Sequence, residues 1–252
     1  MTNSEFIKYG AAYLSDTSAI LLKGDFDSVK DLLQGQITSD CSKVKDKLGQ
    51  ASSLCNEKGF ILCNFDIIFD NERWLILIDK GSEHIFLEEI DKFLPFYKVS
   101  HDILECSVLG ITRKINELSY SNEHIILKNG KTILTVAIDP SNDYLSKIEN
   151  MNNDHWEINR KILGDHKIIF EESGKYRPHE LCQQNLRISF DKGCFKGQEI
   201  IARMEYLGKL KKETRLIIHA KNKDIVNSKV VGKTFKIHGD YFSSCLGNAE
   251  DF

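Results

Sequence analysis

The strongest constraint in this chain is a series of apolar segments between Gln50 and Asp79, cut at short intervals by turn residues. Residues 50–57, 60–69 and 73–79 each read as a strand, the last containing Arg73-Trp74-Leu75-Ile76-Leu77-Ile78. Lys58-Gly59 and Asp70-Asn71 are the turns between them. Strands joined by such short connections pair antiparallel, because a parallel return needs a crossover of roughly a dozen residues or more.

The same grammar extends in both directions. Ala19 to Lys23 is a β-type run stopped by Gly24, and Asp27 or Ser28 is placed to cap a helix carrying Val29, Leu32 and Leu33 that ends at Gly35. Residues 82–94 form an amphipathic helix followed by Pro95. A strand is expected at 103–111, a short helix at 112–119, and a hairpin of 125–127 with 133–138 across Asn129-Gly130. Helices are expected at 142–150 and 154–163, and irregular chain from 164 to 196. A helix starts near Gly197 and runs to Leu207, with Gly208 as its stop. Strands at 214–219 and 229–237 and a turn at His238-Gly239 complete the reading. The fold class is α+β with mostly antiparallel sheet.

Composition limits the function classes. The 252 residues are 41% apolar and carry a formal net charge of -3. That suits one large domain or two smaller ones, and it speaks against broad electrostatic wrapping of nucleic acid. The most apolar stretch, Phe60–Phe69, is interrupted by Asn64 and Asp66 and is too short and polar to span a membrane. The first residues lack a basic segment followed by an apolar one, so no export signal is expected and the cytoplasm is the default. The seven cysteines are then expected to be reduced thiols. There is no glycine-rich dinucleotide or P-loop motif, and no pair of histidines one helical turn apart, so no metal site is expected.

One segment stands out: Lys192-Gly193-Cys194-Phe195-Lys196-Gly197-Gln198-Glu199. Its glycines allow a tight turn just before a helix, and Cys194 sits between two lysines. Helix dipole and nearby cations favour thiolate over thiol. Such a thiolate can be a nucleophile, a redox group or a soft ligand for iron; a cysteine buried in a glycine-rich turn is the alternative. Arg203, Lys209, Lys211, Lys212 and Arg215 follow, as a phosphate-facing patch for tRNA or as a solvated helix end. Upstream, Trp156 can stack on a heteroaromatic ring and Arg160, four residues on, can pair a carboxylate; Trp156 as core filler is the other reading.

The segment from Lys192 to Glu199 resembles the signature of the YgfZ family, Lys-Gly-Cys-Phe/Tyr-x-Gly-Gln-Glu, and the likeness continues through Ala202-Arg203 and Gly208. Ile188-Ser189-Phe190 also fits. Independently, Leu33-Gln34-Gly35-Gln36-Ile37-Thr38-Ser39-Asp40 resembles the family's L-Q-G-Q-x-T-x-D run, and Asn56-Glu57-Lys58-Gly59 its D-x-K-G turn. The resemblance spans roughly residues 15 to 215. The family is related to the T-protein, the aminomethyltransferase of the glycine cleavage system.

The resemblance implies a T-protein-like multi-domain arrangement with antiparallel sheets around a central folate channel. It places a folate-binding region of two interleaved subdomains at 1–212 and a short C-terminal β segment, the remnant of a reduced barrel, at 213–252. It implies binding of tetrahydrofolate or a one-carbon derivative, with Trp156 at the folate-contacting position. It implies a role in assembly or repair of iron-sulfur enzymes, including those that modify tRNA, with iron-sulfur enzymes or cluster assembly factors as partners. Cys194 is the residue carried over as essential. The alternative is a folate-dependent one-carbon transferase of the aminomethyltransferase type, for which Asp66 and Asp79 are the candidate acids. The chain departs from the pattern in two places: Thr17 or Ser18 stands where a second Trp is expected, and Cys182 where the family has Asn after the loop proline, Pro178.

Overall fold

The computed structural model describes residues 3–117, 123–208, 210–220 and 228–252. The three strands expected between Gln50 and Asp79 form as β3 (Gln50–Cys55), β4 (Ile61–Asp70) and β5 (Arg73–Asp79). They pair antiparallel, and β2 (Thr17–Lys23) and β6 (Ser100–Leu104) extend them to a five-stranded sheet of order β3-β4-β5-β2-β6. A second antiparallel sheet has the order β1-β7-β9-β8, from β1 (Gly10–Tyr13), β7 (Val108–Lys114), β8 (His124–Asn129) and β9 (Thr132–Ile138).

The five-stranded sheet is covered on both faces, which is why its strands read as nearly continuous apolar runs. Side chains alternate along a strand. In β5, Trp74, Ile76 and Ile78 therefore face one cluster, with Val29, Leu32 and Leu33 of helix α1 (Phe26–Gln36) and Phe86 and Ile90 of α2 (Glu83–Ile90). Leu75 and Leu77 face the other, where Val108, Leu134 and Val136 of the second sheet meet Trp156 of a later helix.

The structure corrects several local expectations. The cap of α1 is Asp25, which accepts from the Ser28 amide, not Asp27 or Ser28. The helix expected at 82–94 stops after Ile90, and Pro95 lies inside the separate one-turn helix α3 (Leu94–Tyr97), where its missing N–H costs nothing. The strand expected at 103–111 is two strands, β6 and β7, in different sheets. The short helix expected at 112–119 is strand as far as Lys114, followed by a 3-10 turn at Ile115–Glu117; its remainder lies outside the described residues. The helix at 142–150 shortens to α4 (Asn142–Leu145), and the next is α5 (Asn153–Ile162). The irregular stretch holds a 3-10 turn at Phe170–Glu172 and one short α-helix, α6 (Gln184–Arg187). The helix after Gly197 is α7 (Gln198–Leu207), closed at Gly208 as expected.

After α7 come β10 (Glu213–His219), β11 (Lys229–Ile237) and β12 (Asp240–Gly247), the last a strand the sequence reading did not separate. Among the described residues they form an open antiparallel sheet, β10-β12-β11, with no barrel closure. Val231 and Leu246 of this sheet pack in one cluster with Ile61, Tyr176, Phe195 and Ile201. Among the described residues no helix is long and apolar enough to cross a membrane.

Candidate functional site

The three motif segments, scattered over 160 residues of sequence, meet around Cys194. Lys192 is buried and its amine donates to the carbonyls of Ile37 (2.7 Å) and Ser39 (2.9 Å) in the first motif. Just upstream, the Ser189 amide donates to the Thr38 carbonyl at 3.0 Å, and the Thr38 hydroxyl to the Arg187 carbonyl at 2.6 Å. Gln34 stiffens that loop from within, donating to Asp40 and accepting from the Cys41 amide. The third motif is an Asx-type turn: Asn56 Oδ1 accepts from the amides of Lys58 and Phe60. Gly197 lies against it with φ +82°, so close to the Asn56 carbonyl that a Cβ has no room. Glycine is required there both for its backbone angle and for its contact.

Cys194 rides on this assembly as an exposed free thiol. It lines an open recess of about 420 Å³ together with Gln36, Glu57, Phe93 and Lys196. The two flanking lysines are otherwise engaged. Lys192 is turned inward, and burial pushes its amine down to about 8. Lys196 is held between Glu89 (2.6 Å) and Glu57 (3.1 Å). Neither is free to serve as the cationic neighbour that the sequence suggested. Of the remaining signature residues, Phe195 is buried in the core cluster, and Gln198 accepts from the Phe195 amide at 3.3 Å. Gly193, Glu199 and Arg203 are exposed. Lys211, Lys212 and Arg215 are also exposed, Arg215 is paired to Glu213, and Lys209 lies outside the described residues. The Cys182 thiol is half-buried and aimed at the Thr214 carbonyl.

Trp156 and Arg160 lie elsewhere, on α5, in the wall of a second cavity of about 200 Å³ between the two larger sheets. Asn152 caps the helix, accepting from the His155 amide. The Trp156 indole is only 1% exposed and lies flat against the backbone of Gly110, where any Cβ would strike its ring. Arg160 grips Asp66 through two bonds of 2.7 and 2.9 Å and sends its Nε to Asp165 at 2.7 Å. Arg187 holds Asp165 from the other side and donates to the carbonyls of Ser52 and Phe65. Burial alone would raise the Asp165 carboxyl, but Arg160 and Arg187 outweigh it and hold the group far below the usual range. Asp66 and Asp79 both line this cavity. Asp165 and Arg187 were missed in the sequence, since they sit in aperiodic chain with no motif spacing. The Cys194 recess and this cavity share no lining residue.

No protein-family profile matches the chain. Curated proteins do. The tRNA-modifying protein YgfZ of Vibrio atlanticus is 27% identical over 222 residues, covering 81% of this chain and 68% of that protein. Its namesake in Colwellia psychrerythraea is 28% identical over 223 residues, with 79% and 68% covered, and that of Hamiltonella defensa is 29% identical over 236 residues, with 83% and 70% covered. The chain resembles the YgfZ proteins. Among solved structures, the glycine cleavage system aminomethyltransferase T from Bartonella henselae matches with a TM-score of 0.56 at 12% identity, covering 98% of this chain and 88% of that one. The likeness is one of fold, and it bears out the T-protein-like architecture expected from the YgfZ motifs.

Proposed function

We propose that this protein is a cytoplasmic folate-binding accessory factor for the assembly or repair of iron-sulfur enzymes, including those that modify tRNA, and that it acts through Cys194. The observation that carries the reading is the convergence of all three YgfZ-like motifs beneath one exposed thiol. A thiol so mounted is suited to a partner protein or a sulfur species arriving from solvent. Among the described residues no group of three or more His, Cys, Asp or Glu forms a metal cluster site, so Cys194 would share a cluster with a partner rather than enclose one.

Tetrahydrofolate, or a one-carbon derivative, is assigned to the cavity at Trp156. At about 200 Å³ it is smaller than the roughly 300–1,000 Å³ of most ligand sites, so it fits the ring end of a folate with the remainder running out of the mouth. Asp66 suits the N–H edge of such a ring: a carboxylate offers about four lone-pair positions, and Arg160 takes two. Lys233 stands at the mouth, 3.5 Å from Asp79 and 3.7 Å from Asp16. Arg160 serves by holding Asp66, to which it gives two hydrogen bonds.

The test is Cys194→Ala. The variant should fold and keep tetrahydrofolate affinity while losing support of iron-sulfur enzyme activity in cells. Full complementation would remove the thiol from the mechanism. A one-carbon transferase is the second reading, favoured by the buried carboxylate of Asp66 in the cavity wall; formation of methylene-tetrahydrofolate from an aminomethyl donor would establish it.

A further inference from the structure

Three lysines line the Trp156 cavity: Lys161, Lys167 and Lys233. Two of them are neutralised by carboxylates, Lys167 by Glu157 at 3.0 Å and Lys233 by Asp79 and Asp16. Lys161 differs. It is 5% exposed, and among the described residues it forms no ion pair. Its amine donates instead to the hydroxyl of Ser244 on β12, at 2.7 Å, and rests 5.7 Å from the Phe235 ring centre. Ser244 Oγ is also 2.9 Å from Nδ1 of His166, itself buried. Burial pushes the His166 imidazole down to about 4, so it is neutral at neutral pH; with its proton on Nε2, Nδ1 accepts from the Ser244 hydroxyl, and Ser244 is left to accept from Lys161. One amine hydrogen is therefore fixed, and the lone pair of the neutral amine is left free for an electrophile in the cavity.

We propose that Lys161 is a carbonyl-reactive lysine that captures small aldehydes entering this cavity as a Schiff base. A buried amine that forms no ion pair is the arrangement that makes a lysine nucleophilic. Burial pushes the Lys161 amine down to about 8 from 10.5, so the neutral form is accessible near physiological pH. The reaction needs no oxidant or reductant. Nζ attacks the carbonyl carbon, a C–N bond forms as the C=O π pair moves to oxygen, and that oxygen takes a proton. The carbinolamine then loses the oxygen as water and the nitrogen loses its proton, leaving C=N. The two protons that leave the nitrogen are the two that the oxygen carries away as water. The charges that set the reactivity are Glu157 on the same helix, Asp165, His166 and Lys167 on the chain that follows it, and Cys245 beside Ser244. The capture does not require folate.

The experiment is reductive methylation of the intact protein with formaldehyde and cyanoborohydride near pH 7, with the rate at each lysine read by peptide mass spectrometry. Lys161 should react roughly tenfold or more faster than Lys167 and Lys233, with the advantage fading as the pH approaches the ordinary lysine range. In denaturing urea the three rates should converge, and Lys161→Arg should remove the fast site. A Lys161 rate no greater than that of the other two, or an advantage that survives in urea, would overturn the proposal.

Discussion

The amine of Lys192 donates to the carbonyl of Ile37 at 2.7 Å across 155 residues of sequence. It fastens the cysteine turn to the loop between α1 and β3 and leaves the sulfur outside. The same amine reaches Ser39, so one side chain satisfies two buried carbonyls of the tight loop.

Lys192→Met should therefore destabilise the protein by about 1–3 kcal/mol in urea unfolding, because two buried acceptors lose their donor. Alkylation of Cys194 should change rate in the same variant, since its turn is no longer tethered. An unchanged urea midpoint would mean that the loop finds other donors.

Asp165→Asn should cost more, about 3–5 kcal/mol, since it leaves two buried guanidinium groups facing a neutral amide. The folded-state carboxyl is depressed, so its stabilisation is present above the unfolded value near 3.8 and is lost as the pH falls below it. The wild type should lose stability through this window, and the variant should show a flatter acid limb in urea titrations at several pH values.

His166 gives the second pH signature. Burial, and secondarily the charge of Lys161, push its imidazole down to about 4 from 6.5. Between those values the unfolded chain binds a proton that the folded protein refuses, so stability rises with pH across this window and falls on acidification. The full effect is about 3 kcal/mol. In His166→Asn the slope of unfolding free energy between pH 4 and 6.5 should drop by about one proton, measurable by urea unfolding at each pH.

Much of the fold was legible because periodicity and turn chemistry are local. Trp74-Leu75-Ile76-Leu77-Ile78 declares a strand buried on both faces, and Gly197 and Gly208 bracket α7 correctly. What failed was directional. Lys192 and Lys196 flank Cys194 in sequence, yet one turns into the core and the other is claimed by Glu57 and Glu89 from distant chain. Arg160 was read as a ligand for an external carboxylate, and the chain supplies two of its own, Asp66 from β4 and Asp165 from an aperiodic loop. Partners that meet only through tertiary packing leave no spacing in the sequence. The same reason explains why Trp156 and Cys194, both singled out, proved to line different recesses.

The folate assignment can be tested with the protein's own two tryptophans. Trp74 lies in the core among Phe26 and Phe69, its indole nitrogen has no hydrogen-bond partner among the described residues, and it does not line the cavity; Trp156 does. Trp74→Phe leaves Trp156 as sole reporter, and Trp156→Phe leaves Trp74. Titrated with tetrahydrofolate, the first protein should show a saturable fluorescence change at one site per chain and the second none. No saturable change in either, or the same change in both, would contradict folate binding at Trp156.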